Sequence, residues 1–191
     1  MNQTTFSHPM RLARGDFDRY LKGNGIDIGA GPDPLRPPFG SVISWDLPQG
    51  DAQYLEGVPT NSLDFVYSSH CLEHMRDVRI AVSNWARVLK EKGIFYILIP
   101  DYQLYEKCQW PSVNNTDHKA SFSLSLTREK VRRENHYHLN DLKPILYSSG
   151  LTLIEAELED DNYNYNLAPS IDQTIHIALA QIRLVAIKLT S

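Results

Sequence analysis

Two glycines separated by a single residue follow a short, mostly apolar segment near the start of the chain, and they restrict the local backbone more than any other feature. Residues 25–28 have the composition of a buried strand, and Gly29 and Gly31 come directly after them. Glycine allows a sharp turn and lets a ligand approach the backbone, because it has no Cβ. Nucleotide-type cofactors at the carboxyl edge of a parallel sheet need both properties. A dinucleotide fingerprint would have a third glycine at Pro34, so pyrophosphate binding is disfavoured.

The segments that follow are ordered as in a doubly wound α/β sheet. Residues 42–45 predict a second strand that ends at Asp46, whose carboxylate can accept hydrogen bonds from both hydroxyls of a ribose. Residues 63–69 predict another buried strand, and the sequence Leu-Glu-His follows it at 72–74. Residues 94–99 are continuously apolar and predict a fully buried central strand.

These motifs resemble those of class I S-adenosylmethionine-dependent methyltransferases over roughly residues 20–101. The resemblance implies a Rossmann-like, doubly wound, seven-stranded sheet that is mostly parallel with an antiparallel last strand, and S-adenosylmethionine as the cofactor. In that family the glycine loop wraps the amino-acid end of the cofactor, and acids in the positions of Asp46 and Asp51 contact its ribose and its adenine amino group. The cofactor-binding residues that the resemblance implies are Asp27, Gly29, Ala30, Gly31, Asp46, Leu47, Asp51, Ala52, Ser68 and Ser69.

Four prolines after the glycine turn depart from the family pattern. A proline in a helix interior costs about 3 kcal/mol or more, so Pro32, Pro34, Pro37 and Pro38 predict a very short helix or a loop after the first strand. Only about 16 residues separate the second predicted strand from Leu63. We therefore also expect shortened structure after the second strand, with a vestigial third strand and helix.

Apolar periodicity defines the other elements. A single apolar face predicts a helix over 72–90, with Gly93 as its cap. A second helix is expected from an Asn140 cap to Gly150. Alternation and composition predict strands at 151–158 and 182–189.

The composition predicts a single globular domain over 1–191. Hydrophobic residues at 42% and charged residues at 22% are ordinary values, and the net charge of -4 argues against nonspecific nucleic-acid binding. No apolar run approaches the 18 or so residues of a membrane span, and the amino terminus lacks the apolar core of a signal peptide. Cys71 and Cys108 form no C-x-x-C pair, so we expect a reduced, cytoplasmic setting.

A polar lead-in and two long connections lie outside the predicted sheet. The lead-in covers 1–24, with a short helix predicted at 16–22. The connections 100–139 and 159–174 should lie on the same rim as the cofactor, where substrate selectivity usually resides. Their aromatic and amide side chains suit a polyhydroxylated acceptor such as a sugar, although an ordinary surface loop explains the second tract equally well.

Histidines are the main candidates for a general base, which assists transfer to a hydroxyl by about 10²–10⁴-fold. His118 stands beside Asp117 in the first rim connection, and we predict it to be a base oriented by that carboxylate. His70, after the strand that ends in Ser69, is the second candidate. His74 is expected to be structural, and Glu73 to stabilise the amino terminus of its helix.

The predicted function is S-adenosylmethionine-dependent O-methylation of a small molecule or a glycan. N-methylation of a small molecule and a catalytically silent module that binds the cofactor remain open. An NAD-dependent oxidoreductase is a third alternative, which Pro34 weakens. His136 and His138 are spaced as a possible metal pair, but no further ligands are recognisable, so no metal site is predicted.

Overall fold

The computed structural model describes residues 3–168 and 170–190. Met1 and Asn2 of the predicted lead-in, Pro169 of the 159–174 connection and Ser191 at the end of the predicted domain lie outside the described residues. Within the described part, no helix has both the length and the apolar character needed to cross a bilayer.

Strands account for most of the buried core. Six of them form one sheet, and two short ones form a separate parallel pair. The sheet consists of β1 (Asn24–Ile28), β2 (Ser41–Trp45), β3 (Leu63–Ser69), β4 (Leu89–Pro100), β7 (Leu151–Glu159) and β8 (Gln181–Lys188), and the pair of β5 (Ser121–Ser123) and β6 (His136–His138).

The helices are short. Two single turns of 3-10 helix occur at Leu72–His74 and Gln173–Ile175. The α-helices are α1 (Gln3–Phe6), α2 (His8–Arg14), α3 (Asp16–Arg19), α4 (Val78–Val88), α5 (Arg128–Val131) and α6 (Leu139–Ser148).

The order of the strands is β2-β1-β3-β4-β8-β7. Parallel pairing joins β2, β1, β3 and β4, whereas β8 runs antiparallel to both β4 and β7. This confirms the mostly parallel, Rossmann-like α/β sheet with an antiparallel last strand. The carboxyl ends of the four parallel strands therefore open on one edge.

The sheet has six strands, so the prediction of seven was wrong. The segment between β2 and β3 forms only turns, as expected from the prediction of a vestigial third strand and helix. No helix follows β1 within residues 29–40 or β2 within residues 46–62. Side chains of α4 bond the carbonyl groups of this segment: Trp85 Nε1 donates to Ala52 O (2.7 Å), and Arg87 donates to Val58 O (2.8 Å) and Leu55 O (3.1 Å). The segment is too short to add a strand. These hydrogen bonds from α4 side chains satisfy three of its backbone carbonyl groups instead.

The predicted helix over 72–90 is divided in two. It starts as the 3-10 turn Leu72–His74, and Asp77 then caps α4 by accepting hydrogen bonds from Arg79 N (2.8 Å) and Ile80 N (3.2 Å). The extended backbone of Asp77 ends the first turn, because an N-cap residue has non-helical dihedral angles. At the other end α4 stops at Val88, so Gly93 lies within β4 and is not the helix cap.

The helix expected at 140–150 is α6, but its cap differs from the prediction. His138 caps it through Nδ1, which accepts from Asn140 N (3.1 Å), and Asp141 accepts from His138 N (3.0 Å). This capping box explains why the helix begins one residue before Asn140. The strands predicted at 151–158 and 182–189 are confirmed as β7 and β8, and the helix predicted at 16–22 is the shorter α3.

Helices cover both faces of the sheet. One face packs against α4 and α6, with Trp85 and Ile145 fully buried. The other face packs against α3, where Phe17 lies among buried aromatic residues that include Tyr67 and Tyr96. The lead-in is therefore part of the core, and its Arg11 is buried against Ser7 Oγ and Thr4 O.

Gly29 and Gly31 turn the chain at the end of β1, and the structure separates their roles. Both have positive φ angles, 78° and 53°. A Cβ on Gly29 would lie 2.6 Å from Cys71 Cβ, whereas a Cβ on Gly31 would have Asp46 Oδ2 as its nearest neighbour at 3.9 Å. Gly29 is thus required for packing as well as for its backbone conformation.

We expect Gly29→Ala to destabilise the fold more than Gly31→Ala. Both substitutions place a side chain in the left-handed region, but only the first also overpacks the site, which costs about 1–3 kcal/mol more. Urea unfolding of the two variants measures the difference. Equal free energies of unfolding would show that Cys71 moves aside without cost.

Candidate active site

Two adjoining cavities open at the carboxyl edge of the parallel strands. The larger has a volume of about 500 Å³ and the smaller about 200 Å³. Gly29, His70 and His74 line both and so form the boundary between them. The larger cavity is also lined by Asp46, Leu47, Asp51, Ala52 and Met75, and the smaller by Ser69, Glu73, Tyr105, Asn115 and His118.

The larger cavity combines open backbone with a carboxylate. Gly29 N and Ala30 N donate to Trp45 O at 2.9 and 3.2 Å, which holds the glycine turn against the end of β2. Asp46 follows β2 directly and accepts hydrogen bonds from Gly31 N (2.9 Å) and Leu47 N (2.7 Å). The Leu47 side chain is 87% exposed at this rim. Glycine backbone, an acid and apolar surface thus surround a space in the size range of small-molecule sites.

Asp51 is the second acid of the larger cavity. It pairs with Arg76 and accepts a hydrogen bond from Gln53 N (2.9 Å). The Arg76 hydrogen bond lowers the pKa of Asp51 below its ordinary value, so the group is a carboxylate at neutral pH.

Two of the predicted cofactor residues line neither cavity. Ser68 is buried, and its hydroxyl donates to Ile28 O (2.9 Å). Asp27 is also buried and accepts a hydrogen bond from Leu35 N (2.7 Å), so it anchors the loop that follows the glycine turn. Burial raises the pKa of Asp27 to about 7. Both residues support the loop, and neither has its side chain at the cavity surface.

A cluster of three histidines surrounds the buried carboxyl group of Glu73 in the smaller cavity. Glu73 Oε1 lies 3.7 Å from His70 Nδ1, 3.9 Å from His74 Nε2 and 3.8 Å from His118 Nε2. These distances are too long for hydrogen bonds, and neither oxygen of Glu73 has a hydrogen-bond partner in the described part of the chain. Glu73 therefore lies at the centre of the cluster, in the first turn of the 3-10 helix whose amino terminus it was predicted to stabilise.

Burial controls the ionisation of this cluster. Desolvation raises the pKa of Glu73 to about 8 and lowers the pKa of His70 to about 4. The pKa of His74 is also lowered, chiefly by burial and against the effect of its bond to Asp117. A protein interior disfavours every charged form unless a partner compensates it.

The predicted pairing of Asp117 with His118 is not what the structure contains. His118 Nδ1 bonds Glu106 Oε1 at 2.6 Å, whereas Asp117 Oδ2 bonds His74 Nδ1 at 2.9 Å. The two neighbours point in opposite directions, with side-chain exposures of 69% for Asp117 and 2% for His118. Asp117 lies in a turn in which His118 N donates to Asn115 O (3.2 Å), and sequence adjacency did not bring the two side chains into contact.

Backbone hydrogen bonds attach the rim loop to this cluster. Lys119 N and Ala120 N both donate to Glu73 O, at 2.7 and 3.0 Å. They hold His118 beside Glu73, although the two residues are far apart in sequence. His70 enters the cluster from β3 through a left-handed φ of 54°, with its backbone N donating to Leu98 O (2.9 Å). Strained backbone of this kind concentrates at functional sites.

Comparisons with known proteins agree with this geometry. A family model described as a methyltransferase domain matches residues 36–97. No curated protein matches the sequence significantly. Residues 36–97 therefore match a methyltransferase domain, and the comparisons support a class I S-adenosylmethionine-dependent methyltransferase.

Solved structures show the same fold. An S-adenosylmethionine-dependent methyltransferase from Archaeoglobus fulgidus is 17% identical with a TM-score of 0.56, over 97% of each chain. The YcgJ protein from Bacillus subtilis is 14% identical with a TM-score of 0.57, over 96% of this chain and 99% of that one. The [4+2]-cyclase SpnF, 15% identical with a TM-score of 0.57, matches over 95% of this chain and 81% of its own. At these identities the likeness concerns the fold alone.

S-adenosylmethionine is the cofactor of this methyltransferase. The larger cavity fits it, because Gly29 and the Asp46 carboxylate at the end of β2 both line it. The predicted residues at the surface of one or both cavities are Gly29, Ala30, Gly31, Asp46, Leu47, Asp51, Ala52, Ser69, His70, Asp117 and His118.

Sequence reasoning missed Glu106 and Gln181, which complete the site together with Tyr105 of the aromatic rim connection 100–139. Glu106 orients His118, Tyr105 stacks on the same imidazole at 5.4 Å, and Gln181 bonds His70 Nε2 at 2.8 Å. Glu106 and Tyr105 lie in the predicted rim connection 100–139, so a carboxylate in that loop was an available signal. The 159–174 connection lines neither of these two cavities within the described residues.

His136 and His138 hold the local structure. His136 bonds Ser121 Oγ (2.9 Å) and Leu126 O (2.9 Å). His138 bonds Leu124 O (3.0 Å) besides capping α6. Their ring nitrogens are therefore bonded to other groups within the fold.

The buried Asp27 makes the stability of this methyltransferase depend on pH. Its pKa rises from 3.8 to about 7 on folding, so the folded chain binds more protons than the unfolded chain between these values. The free energy of unfolding must then fall as pH rises through this range. Asn in place of Asp27 can still accept the Leu35 N–H but does not ionise.

We expect wild-type protein to lose about 2–3 kcal/mol more stability than Asp27→Asn between pH 5 and pH 8, at about 1.4 kcal/mol per pKa unit. Urea unfolding of both proteins at the two pH values measures this difference, since other titrating groups are common to both. Parallel pH dependences would mean that Asp27 ionises in the folded chain as easily as in water.

Proposed function

We propose that this methyltransferase methylates a hydroxyl group of a small molecule or of a sugar or glycan. The observation that carries the proposal is the histidine cluster at the boundary between the cofactor-sized cavity and the smaller one. S-adenosylmethionine supplies a methyl group bonded to a positively charged sulfur, and the protein has to bring an activated acceptor to it. A hydroxyl needs such activation, whereas a neutral amine needs little.

The larger cavity is assigned to the nucleoside part of the cofactor. Asp46 would accept hydrogen bonds from the ribose hydroxyls, and Asp51 would accept one from the adenine amino group. Leu47, Ala52 and Met75 supply apolar surface for the adenine ring. The backbone from Gly29 to Gly31, which lines the adjoining part of the smaller cavity, would hold the amino-acid end of the cofactor.

The part of the smaller cavity beside Asn115 and His118 is assigned to the acceptor. It suits a single ring or the end of a larger molecule. Tyr105 and Asn115 on its wall offer an aromatic face and an amide, which suit a polyhydroxylated group. We place His118 as the residue that activates the hydroxyl, since Glu106 and Tyr105 fix its imidazole most firmly.

The ribose assignment predicts that Asp46→Ala weakens cofactor binding. Losing hydrogen bonds to a charged acceptor should cost about 1.5–3 kcal/mol. Calorimetric titration with S-adenosylmethionine measures it, with Asp18→Ala, an exposed aspartate on α3, as the matched control. Unchanged affinity in a folded Asp46→Ala protein would place the ribose elsewhere.

The acceptor assignment predicts that His118→Ala lowers kcat by about 10²–10⁴-fold while leaving cofactor affinity nearly unchanged. Production of S-adenosylhomocysteine with sugars and small alcohols as acceptors measures the rate. His176→Ala, which changes an exposed histidine outside both cavities, should retain wild-type kcat. If His118→Ala keeps most of its kcat, the activating group is another residue, with His70 next to be tested.

A further inference from the structure

The cluster of Glu73 with His70, His74 and His118 contains polar atoms that its own side chains leave without a hydrogen-bond partner. Glu73 is fully buried, and neither carboxyl oxygen has a hydrogen-bond partner among the described residues. Three imidazole nitrogens face its Oε1 at 3.7–3.9 Å. Buried polar groups are nearly always satisfied, so a carboxyl left open in this way indicates a missing binding partner.

The outer nitrogen of each ring is already bonded to an oxygen. His118 Nδ1 meets Glu106 Oε1 at 2.6 Å, His74 Nδ1 meets Asp117 Oδ2 at 2.9 Å, and His70 Nε2 meets Gln181 Oε1 at 2.8 Å. These oxygen acceptors place the ring proton on the outer nitrogen. For His70 the acceptor is fixed further, because Gln181 Nε2 donates to Glu159 Oε2 (2.7 Å), which turns the amide oxygen toward the ring.

The inner nitrogens consequently carry lone pairs. Three lone pairs and a carboxyl group converge on one small space, and only a cation satisfies all four at once. No lysine or arginine of the described residues forms an ion pair with Glu73 or Glu106. In protein metal sites, the ring nitrogen of a histidine ligand that does not bind the metal usually bonds a carboxylate or a carbonyl oxygen.

We propose that Glu73, His74 and His118, with His70 as a fourth donor, bind a divalent transition-metal ion of the Zn²⁺ type. The donor atoms of the first three lie within 4.8 Å of one another. Around a tetrahedral Zn²⁺ with bonds of about 2.0–2.1 Å the donors are about 3.4 Å apart, so the most widely separated donors must approach each other by about 1.4 Å when the ion binds. Nitrogen-rich donors favour such ions over Mg²⁺, which prefers oxygen.

The site would deepen the proposed function, on which this part of the inference rests. The cluster lines the acceptor cavity, so a bound ion would take the acceptor hydroxyl as a fifth ligand and lower its pKa, and the hydroxyl proton would leave to solvent before the oxygen takes the methyl group from the sulfonium. His118 then activates the hydroxyl through the ion, as a ligand, instead of taking the proton itself. The sequence analysis predicted no metal site, and the histidine pair that it weighed, His136 and His138, lies outside this cluster.

Zinc titration of the chelator-treated, full-length chain tests the site. We expect calorimetry to give one Zn²⁺ per chain, with much weaker binding of Mg²⁺. Glu73→Gln should abolish the tight binding, and His74→Ala, at a partly exposed position that the fold should tolerate, should do the same. Asp117→Ala removes only an outer partner and should weaken binding by about 10–100-fold.

His176→Ala is the matched control, because it removes an exposed histidine outside the cluster and should bind zinc as wild type does. Wild-type protein that binds no zinc, or equal affinities in wild type and His74→Ala, would overturn the site. Circular dichroism of each variant separates lost binding from lost folding.

Methyl transfer by chelated and zinc-loaded protein separates this inference from the proposed function. Zinc binding that depends on Glu73, without methylation of any hydroxyl compound, would support the site and contradict the proposed function. Full-rate hydroxyl methylation by chelated protein that binds no zinc would overturn the site and leave the function standing.

Discussion

Parallel pairing of β1 between β2 and β3 is the constraint on which the rest of this methyltransferase depends. It brings the carboxyl ends of these strands to one edge, so that Gly29, Asp46 and His70 become neighbours although each follows a different strand. Parallel strands cannot be joined by tight hairpins, and each connection must cross a face of the sheet. The short, proline-rich connection after β1 makes that crossing without a helix.

Continuous apolar runs made the strands of the sheet predictable. The helix boundaries were predicted less well, because capping residues set them. The strand at 63–69 was predicted with its observed bounds because it is buried on both faces. The helix at 72–90 was predicted too long, because its apolar periodicity continues through the 3-10 turn and the Asp77 cap. The seventh strand was implied by the family, and the chain between β2 and β3 is too short to form it.

The site was predictable only where it is local. The glycine turn and Asp46 lie within one short stretch of the chain, and Gly29 and Asp46 line the same cavity. The histidine cluster draws on β3, the rim loop and β8, so no spacing along the chain reveals it. Asp117 was chosen as the partner of His118 by adjacency, whereas the real partner, Glu106, reaches it only after the loop folds back.

The two halves of the site are built with different rigidity. Asp46 and the glycine turn are attached to the sheet by backbone hydrogen bonds, which fixes the cofactor side independently of the acceptor. The acceptor side depends on the rim loop, which Lys119 N and Ala120 N attach to the carbonyl oxygen of Glu73. Because the same residue supplies this anchor and the central carboxyl group, the position of His118 relative to Glu73 is set by backbone contacts. The geometry of the cluster therefore does not depend on the flexible side chains of the loop surface.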